Sequence, residues 1–220
     1  KYFIKLYFSK KWYLWKKLLE ENKVGNPVRY FLIPFTSGNK IFQTYHLKTY
    51  EEKMKINLKR FDLIFEFGGG YGNMAMNFNI INNKSKYFIF DTFEVSLLQY
   101  YYLSRMDLGP NFNTNKLKQI NLFYSLERLK KNLKKYKNKK KLLIANWSLS
   151  EVPLSLRAKL KFVFEEFDYQ ILSFQNDFEG IDNKSYFENL NLINKLKKRN
   201  SIILGVDNYK DNCYLFSKKK

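Results

Sequence analysis

"FEFGGGYGN", Phe65 to Asn73, is the stretch that decides the fold. It closes the apolar run "FDLIFEF" with a carboxylate, Glu66, and four glycines in five positions, Gly68, Gly69, Gly70 and Gly72. A short buried run ended by glycine reads as a strand. A turn this bare admits positive φ and lets a ligand approach the backbone. A dinucleotide fingerprint, G-x-G-x-x-G, fits at Gly68 and Gly70 but meets Asn73 at its last position. The order present is E-x-G-x-G-x-G, from Glu66 through Gly68, Gly70 and Gly72. That form suits S-adenosylmethionine, whose methionine end lies over the turn from Gly68 through Tyr71 to Gly72. Glu66 can accept from its ammonium group, and the positive partner favours the ionised carboxylate.

A second acid follows at the expected interval. Asp91 ends "KYFIFD", 25 residues after Glu66, with Thr92 next to it. At the carboxyl edge of a neighbouring strand it can accept from both ribose hydroxyls. The same residue would serve NAD, so a NAD-binding oxidoreductase stays open as an alternative.

From residue 61 onward, strands and helices alternate. "GNMAMNFNII", "VSLLQYYYLSRM", "SLERLKKNLKKY", "PLSLRAKLKFVFEEF" and "YFENLNLINKLKKR" read as helices. Between them lie "KYFIFD", a weak "LKQINLF", "KLLIANW", "YQILSF" and "SIILGV", and "CYLF" follows the turn "DNYKDN". Short links in a βαβ series predict an α/β fold with a mostly parallel, doubly wound sheet. The last two strands, a turn apart, should pair antiparallel. The expectation is a seven-stranded Rossmann-like methyltransferase sheet over residues 61–220. Residues 1–60 carry mostly helical signals, including a stripe of Phe8, Trp12, Trp15 and Leu19, broken by Gly25-Asn26-Pro27. They are expected to form a helical cap over the carboxyl edge.

Composition narrows the function classes. One cysteine, Cys213, leaves no internal disulfide, and one histidine, His46, leaves no His-based metal site or serine triad. No metal is expected. No apolar run reaches the roughly 18 residues of a membrane span, so a reduced cytoplasm is the expected compartment. The chain starts at Lys1 without methionine, so a preceding segment is expected. The net charge is +20, yet only six of the 40 basic residues are arginine, the better phosphate fork. Lys, Asn, Ile, Phe and Tyr all have A/T-rich codons, which accounts for the charge without a partner. Specific nucleic-acid binding is therefore not expected. The basic run Lys130–Lys141 keeps an RNA-binding methyltransferase as an alternative.

The fourth strand bears on the acceptor. Methyltransferases acting on amino groups carry Asn/Asp-Pro-Pro-aromatic here, whereas this chain has "ANWSLSEVP", Ala145 to Pro153, with no proline pair. An oxygen target is the better match. "LIFEFGGGYGNMA", "FIFDTFEVSLLQYYYLS" and "ANWSLSEVP" together resemble the bacterial sugar O-methyltransferase family found among surface-polysaccharide functions. "GNP" at Gly25–Pro27 and "QNDFEGIDNKSYF" at Gln175–Phe187 are similar to its flanking segments. The resemblance implies a Rossmann-like fold and methyl transfer from S-adenosylmethionine to a sugar hydroxyl; whether the acceptor is nucleotide-linked, lipid-linked or polymeric stays open. It adds Asn121, Asn146 and Trp147 to the cofactor side, although the polar third strand departs from the family around Asn121. Ser148, Gln175, Asn183 and Tyr186 are candidates for the sugar side. A base taking the hydroxyl proton adds about 10²–10⁴-fold. Glu151, at the carboxyl edge, and His46, by its ordinary pKa, are the candidates for it.

Overall fold

The computed structural model describes all residues, Lys1–Lys220. The first part of the chain forms α1 (Tyr2–Tyr7), α2 (Trp12–Leu19), a hairpin of β1 (Arg29–Tyr30) and β2 (Ile33–Ser37), and α3 (Gly38–Met54). The alternating series follows: β3 (Leu63–Phe67), α4 (Asn73–Ile81), β4 (Lys86–Phe90), α5 (Phe93–Arg105), β5 (Asn111–Phe112), β6 (Ile120–Phe123), α6 (Leu126–Leu133) and β7 (Lys141–Asn146). Then come α7 (Leu154–Lys159), α8 (Lys161–Glu166), β8 (Tyr169–Gln175), β9 (Asp177–Phe178), β10 (Ile181–Asp182), α9 (Asn183–Leu196), β11 (Arg199–Val206) and β12 (Tyr209–Lys219).

One sheet organises this series, in the order β11-β12-β8-β7-β3-β4-β6-β5. β3 sits near its middle, parallel to β4 on one side and β7 on the other. β12 runs antiparallel to both β8 and β11. The doubly wound architecture and the reversed strand agree with the sequence reading. The strand number does not: eight strands replace the expected seven. The extra one is β5, two residues long and paired only with β6, too short for any periodic signal.

β3 shows why the strands fold as they do. All five of its residues are buried, as a central parallel strand covered on both faces requires. Leu63, Phe65 and Phe67 join a cluster with α6, α8 and α9, including Leu129, Phe164 and Phe187. Ile64 faces the opposite layer, a cluster that takes in Trp15, Leu19, Leu47, Tyr50 and Phe78. Hydroxyl side chains cap three of the helix starts. Ser37 Oγ accepts from the Lys40 N–H, Thr92 Oγ1 from Val95, and Ser125 Oγ from Arg128.

The N-terminal part differs from expectation in three ways. The aromatic stripe does not lie on one helix; α1 and α2 are separated at Phe8–Lys11, leaving Phe8 81% exposed while Trp15 and Leu19 are buried. Residues 29–37 form a hairpin rather than a plain break. The helices α1–α3 complete the helical layer on the sheet face, with the Tyr50 hydroxyl donating to Ser217 O on β12. The segment around Glu21–Asn39 reaches the glycine turn, and so does α3, where Gln43 Oε1 accepts from Asn73 Nδ2 at 2.7 Å.

Arg199, at the start of β11, is the most heavily used cation. Its guanidinium donates to Phe164 O and Glu165 O at the end of α8, to Asn194 on α9, and to the Asp168 carboxylate at 3.0 Å. The side chain is 3% exposed, so its removal orphans these acceptors in the interior. Arg199→Ala should destabilise the fold by about 3–5 kcal/mol, read as a lower midpoint in denaturant titration.

Candidate functional site

The glycine turn joins β3 to α4. Gly68, Gly70 and Gly72 all have positive φ, of 70°, 54° and 100°, so the E-x-G-x-G-x-G spacing matches the positions where the backbone turns left-handed. Each glycine faces something different. A Cβ on Gly68 would lie 2.2 Å from Ser148 Cβ, and one on Gly69 would lie 2.7 Å from Ile89 Cγ2. One on Gly70 would meet nothing within 4 Å. The first two glycines are therefore required by the protein itself, whereas Gly70 leaves open space above the turn.

Glu66 lies beneath this turn, 4% exposed. Its Oε2 accepts from the Tyr87 hydroxyl at 2.8 Å, and no cation pairs with it. Burial pushes its carboxyl up to about 8; Tyr87 offsets this in part, and Asp91 adds a little. An incoming cation beside Glu66 would reverse that penalty, so the site has the electrostatic form of an ammonium receptor.

Asp91 stands at the carboxyl end of β4. Its Oδ1 accepts from the Thr92 N–H at 3.0 Å and its Oδ2 from Gln99 at 2.9 Å. Gln99 Nε2 also donates to Gly70 O at 2.9 Å, tying the acid to the glycine turn. Partial burial raises the Asp91 carboxyl, and the bonds from Thr92 and Gln99 oppose that. Beside it, Phe93 and Tyr124 meet at 5.1 Å and Phe112 and Tyr124 at 5.5 Å. Half-exposed rings next to a ribose-type acid suit a planar base. Gln99, Phe93, Phe112 and Tyr124 escaped the sequence reading, because only the helix α5 and the short β5 bring them to Asp91.

The turn after β7 closes the other side. Trp147 takes φ 70°, and Ser148 Oγ donates to Phe67 O, holding the two turns together. Asn146 Oδ1 accepts from Ser173 at 2.9 Å, while its Nδ2 is buried without a partner. Asn121 lies elsewhere. Fully buried two residues short of the end of β6, it is saturated by Lys118, Gln119 and Asn111.

The proposed sugar-side residues gather behind the β7 turn. Ser150 is their hub: its Oγ donates to Gln175 at 2.9 Å, and its carbonyl accepts from Asn183 and from Arg157. The Arg157 guanidinium lies 4.8 Å from the centroid of the Tyr186 ring. The two proposed bases are far from equivalent. Glu151 is exposed in the turn after β7. His46 is 1% exposed between Phe42 and Tyr214, and burial pushes it down to about 3. So buried, His46 lines no open space and stays neutral at ordinary pH.

A cavity of about 400 Å³ opens on the N-terminal side of the turn, lined by Glu21, Ser37, Asn39, Tyr71, Tyr101 and Tyr102 among others. Tyr71 is the link, since it sits within the glycine turn; Gly68 and Asp91 lie outside the cavity wall. Asn39 donates to the Tyr71 hydroxyl at 2.7 Å and Asn22 to that of Tyr102. Glu21 is held by the Ser37 hydroxyl and by the Asn22 N–H. No sequence pattern marks Glu21, which arrives through the β1–β2 segment.

A carboxyl raised by folding binds a proton that the unfolded chain has already lost. For Glu66, stability is greatest below about 4.5, its unfolded range, and is lost as pH climbs through about 8. Glu66→Gln should flatten the fall of melting temperature between those limits, measured by calorimetry in a pH series.

No family model and no curated sequence matches the chain. Solved structures do. A precorrin-6y C5,15-methyltransferase from Geobacter metallireducens aligns with a TM-score of 0.56 at 8% identity, over 92% of this chain and 98% of that one. An rRNA methylase from Streptococcus thermophilus aligns at 0.52 and 12%, over 79% and 96%. A Methanococcus jannaschii fibrillarin pre-rRNA processing protein aligns at 0.51 and 11%, over 75% and 70%. At these identities the likeness concerns architecture, and the chain has the Rossmann-like fold of the methyltransferases.

Proposed function

We propose that the protein is an S-adenosylmethionine-dependent methyltransferase acting on a hydroxyl of a sugar or glycan. The observation that carries the cofactor is the uncompensated Glu66 beneath the open Gly70, tied through Gln99 to Asp91. Glu66 holds the ammonium end, Asp91 the ribose hydroxyls, and Phe93 with Tyr124 the base. The cofactor supplies an activated methyl group, so the chain's remaining task is to align an acceptor and keep water away. Good alignment alone is worth about 7–11 kcal/mol. Similarity to methyltransferase structures supports the class of reaction and leaves the acceptor to the site.

The cavity supports a sugar. Tyr71, Tyr101 and Tyr102 offer aromatic faces to apolar sugar faces, and Asn39, Ser37 and Glu21 offer hydrogen bonds to hydroxyls. Glu21 joins Glu151 as a candidate base and is the one we favour, His46 being buried. It is the one carboxylate on this wall, oriented by two donors, and can accept the acceptor's hydroxyl proton. The N-terminal segment thus acts as an acceptor-binding cap through residues 21–39.

An RNA acceptor has the names of several structural neighbours in its favour and the basic run against it. Lys141 pairs in register with Leu63, at the amino edge of the sheet. The glycine turn begins five residues further along β3, about 17 Å away at strand rise. Lys141 and the loop that leads into it therefore lie at the edge opposite the glycine turn, with Lys130 and Lys131 on α6 between the two edges.

Isothermal titration should show S-adenosylhomocysteine binding to the parent and NADH failing to bind. Gly70→Val, whose Cβ would meet no protein atom although φ 54° strains a β-branched residue, should abolish that binding; unchanged affinity would place the cofactor elsewhere. Glu21→Gln should keep it while lowering turnover of a saccharide acceptor by about 10²–10⁴-fold. Equal turnover by the two proteins would remove Glu21 from the chemistry.

A further inference from the structure

The hairpin of β1 and β2 carries an unusual turn. Its two turn residues are Phe31 and Leu32, 94% and 87% exposed. Hairpin turns ordinarily use Gly, Asn or Asp, which satisfy the backbone and are content in water. Two large apolar side chains there contribute nothing to the interior. Val28, before β1, is 90% exposed as well, and Tyr30 is 51% exposed. The tip adjoins the acceptor cavity, because Val28 and Pro27 form part of that cavity's wall.

Charge distinguishes the possible occupants of this tip. Residues 1–37 hold eight basic and two acidic side chains, a net charge of +6 by difference. A chain of ring contacts leads from the hairpin to exposed Tyr7 and Phe8: Phe35 edge-on to the half-buried Phe3 at 6.2 Å, Phe3 stacked with Tyr7 at 6.3 Å, and Tyr7 edge-on to Phe8 at 5.1 Å. On α2, Lys17 Nζ lies 4.4 Å from the centroid of the exposed Tyr13 ring. Exposed aromatic and aliphatic side chains among lysines are the composition of a membrane-interface element. A second copy would bring +6 against +6, which repels; an anionic bilayer attracts.

We propose that the Val28–Leu32 tip docks into the interface of an anionic lipid bilayer and seats the cavity mouth at the membrane surface. The acceptor is then a lipid-linked saccharide, presented from the bilayer. The docking stands on the hairpin alone; the acceptor class rests on the methyl-transfer reading of the cavity.

Sedimentation with vesicles tests it. The parent protein should pellet with vesicles of phosphatidylcholine mixed with phosphatidylglycerol and stay in solution with phosphatidylcholine alone. The double substitution Phe31→Ser, Leu32→Ser touches only exposed side chains, so its melting temperature and S-adenosylhomocysteine affinity should match the parent. Its affinity for the anionic vesicles should fall about tenfold or more. Failure of the parent to bind these vesicles, or equal binding by the variant, would overturn the docking. So would a lipid-free dimer, detected by light scattering, that the substitution dissolves. Because the readout needs no methyl donor, a negative result leaves the cofactor reading standing, and lost cofactor binding in the parent leaves the docking standing.

Discussion

The contact between Gly68 and Ser148 sets the geometry of the whole carboxyl edge. A missing side chain lets the turn after β3 press against the turn after β7, and the Ser148 hydroxyl then fixes the Phe67 carbonyl. Because β3 and β7 are adjacent and in register, this one approach settles where both turns lie. Gly69 packs on Ile89 and Gly72 lies close to Leu103, so β4 and α5 are bound to the same point. What remains free is Gly70. The turn is rigid on three sides and open on the fourth.

Polar burial on one face of the sheet is consistent with that opening. Glu66 is without a cation, His46 Nδ1 and Gln99 Oε1 lack partners, and Lys40 is fully buried with Asn77 at 3.4 Å as its contact. Burial pushes Lys40 down to about 8, with Glu21 opposing the shift. Satisfied interiors rarely hold so many half-paired groups within one layer. The opposite layer, around Phe65, Phe123 and Phe174, also holds half-paired groups at its margin, Arg157 Nη1 and Asn183 Oδ1.

Much of this was legible in the residues. "FDLIFEFGGGYGN" announced β3, its turn and the start of α4, since a buried strand, bare glycines and a carboxylate are local features. The reversed last strand followed from the short "DNYKDN" link. Elements that depend on distant partners were not legible. β5 exists only because β6 offers an edge, and α7 and α8 divide at Leu160, where nothing in "PLSLRAKLKFVFEEF" signals a break. Glu21 and Gln99 become site residues through tertiary placement alone. His46 carried a misleading signal: a polar neighbourhood in sequence, "TYHLKTY", becomes on α3 a packed interior among Phe42, Trp147 and Tyr214.

The position of β12 has a consequence for how the chain assembles. β11 precedes it in sequence, yet β12 is the strand that joins β11 to β8. Until residues 209–219 are in place, β11 has no neighbour in the sheet and β8 presents an unpaired, apolar edge. The strand order therefore delays completion of the sheet: β11 can join it only with or after β12. During synthesis that edge stays open after β3 to β7 have already emerged, and it is a place where a nascent chain is exposed to pairing with another.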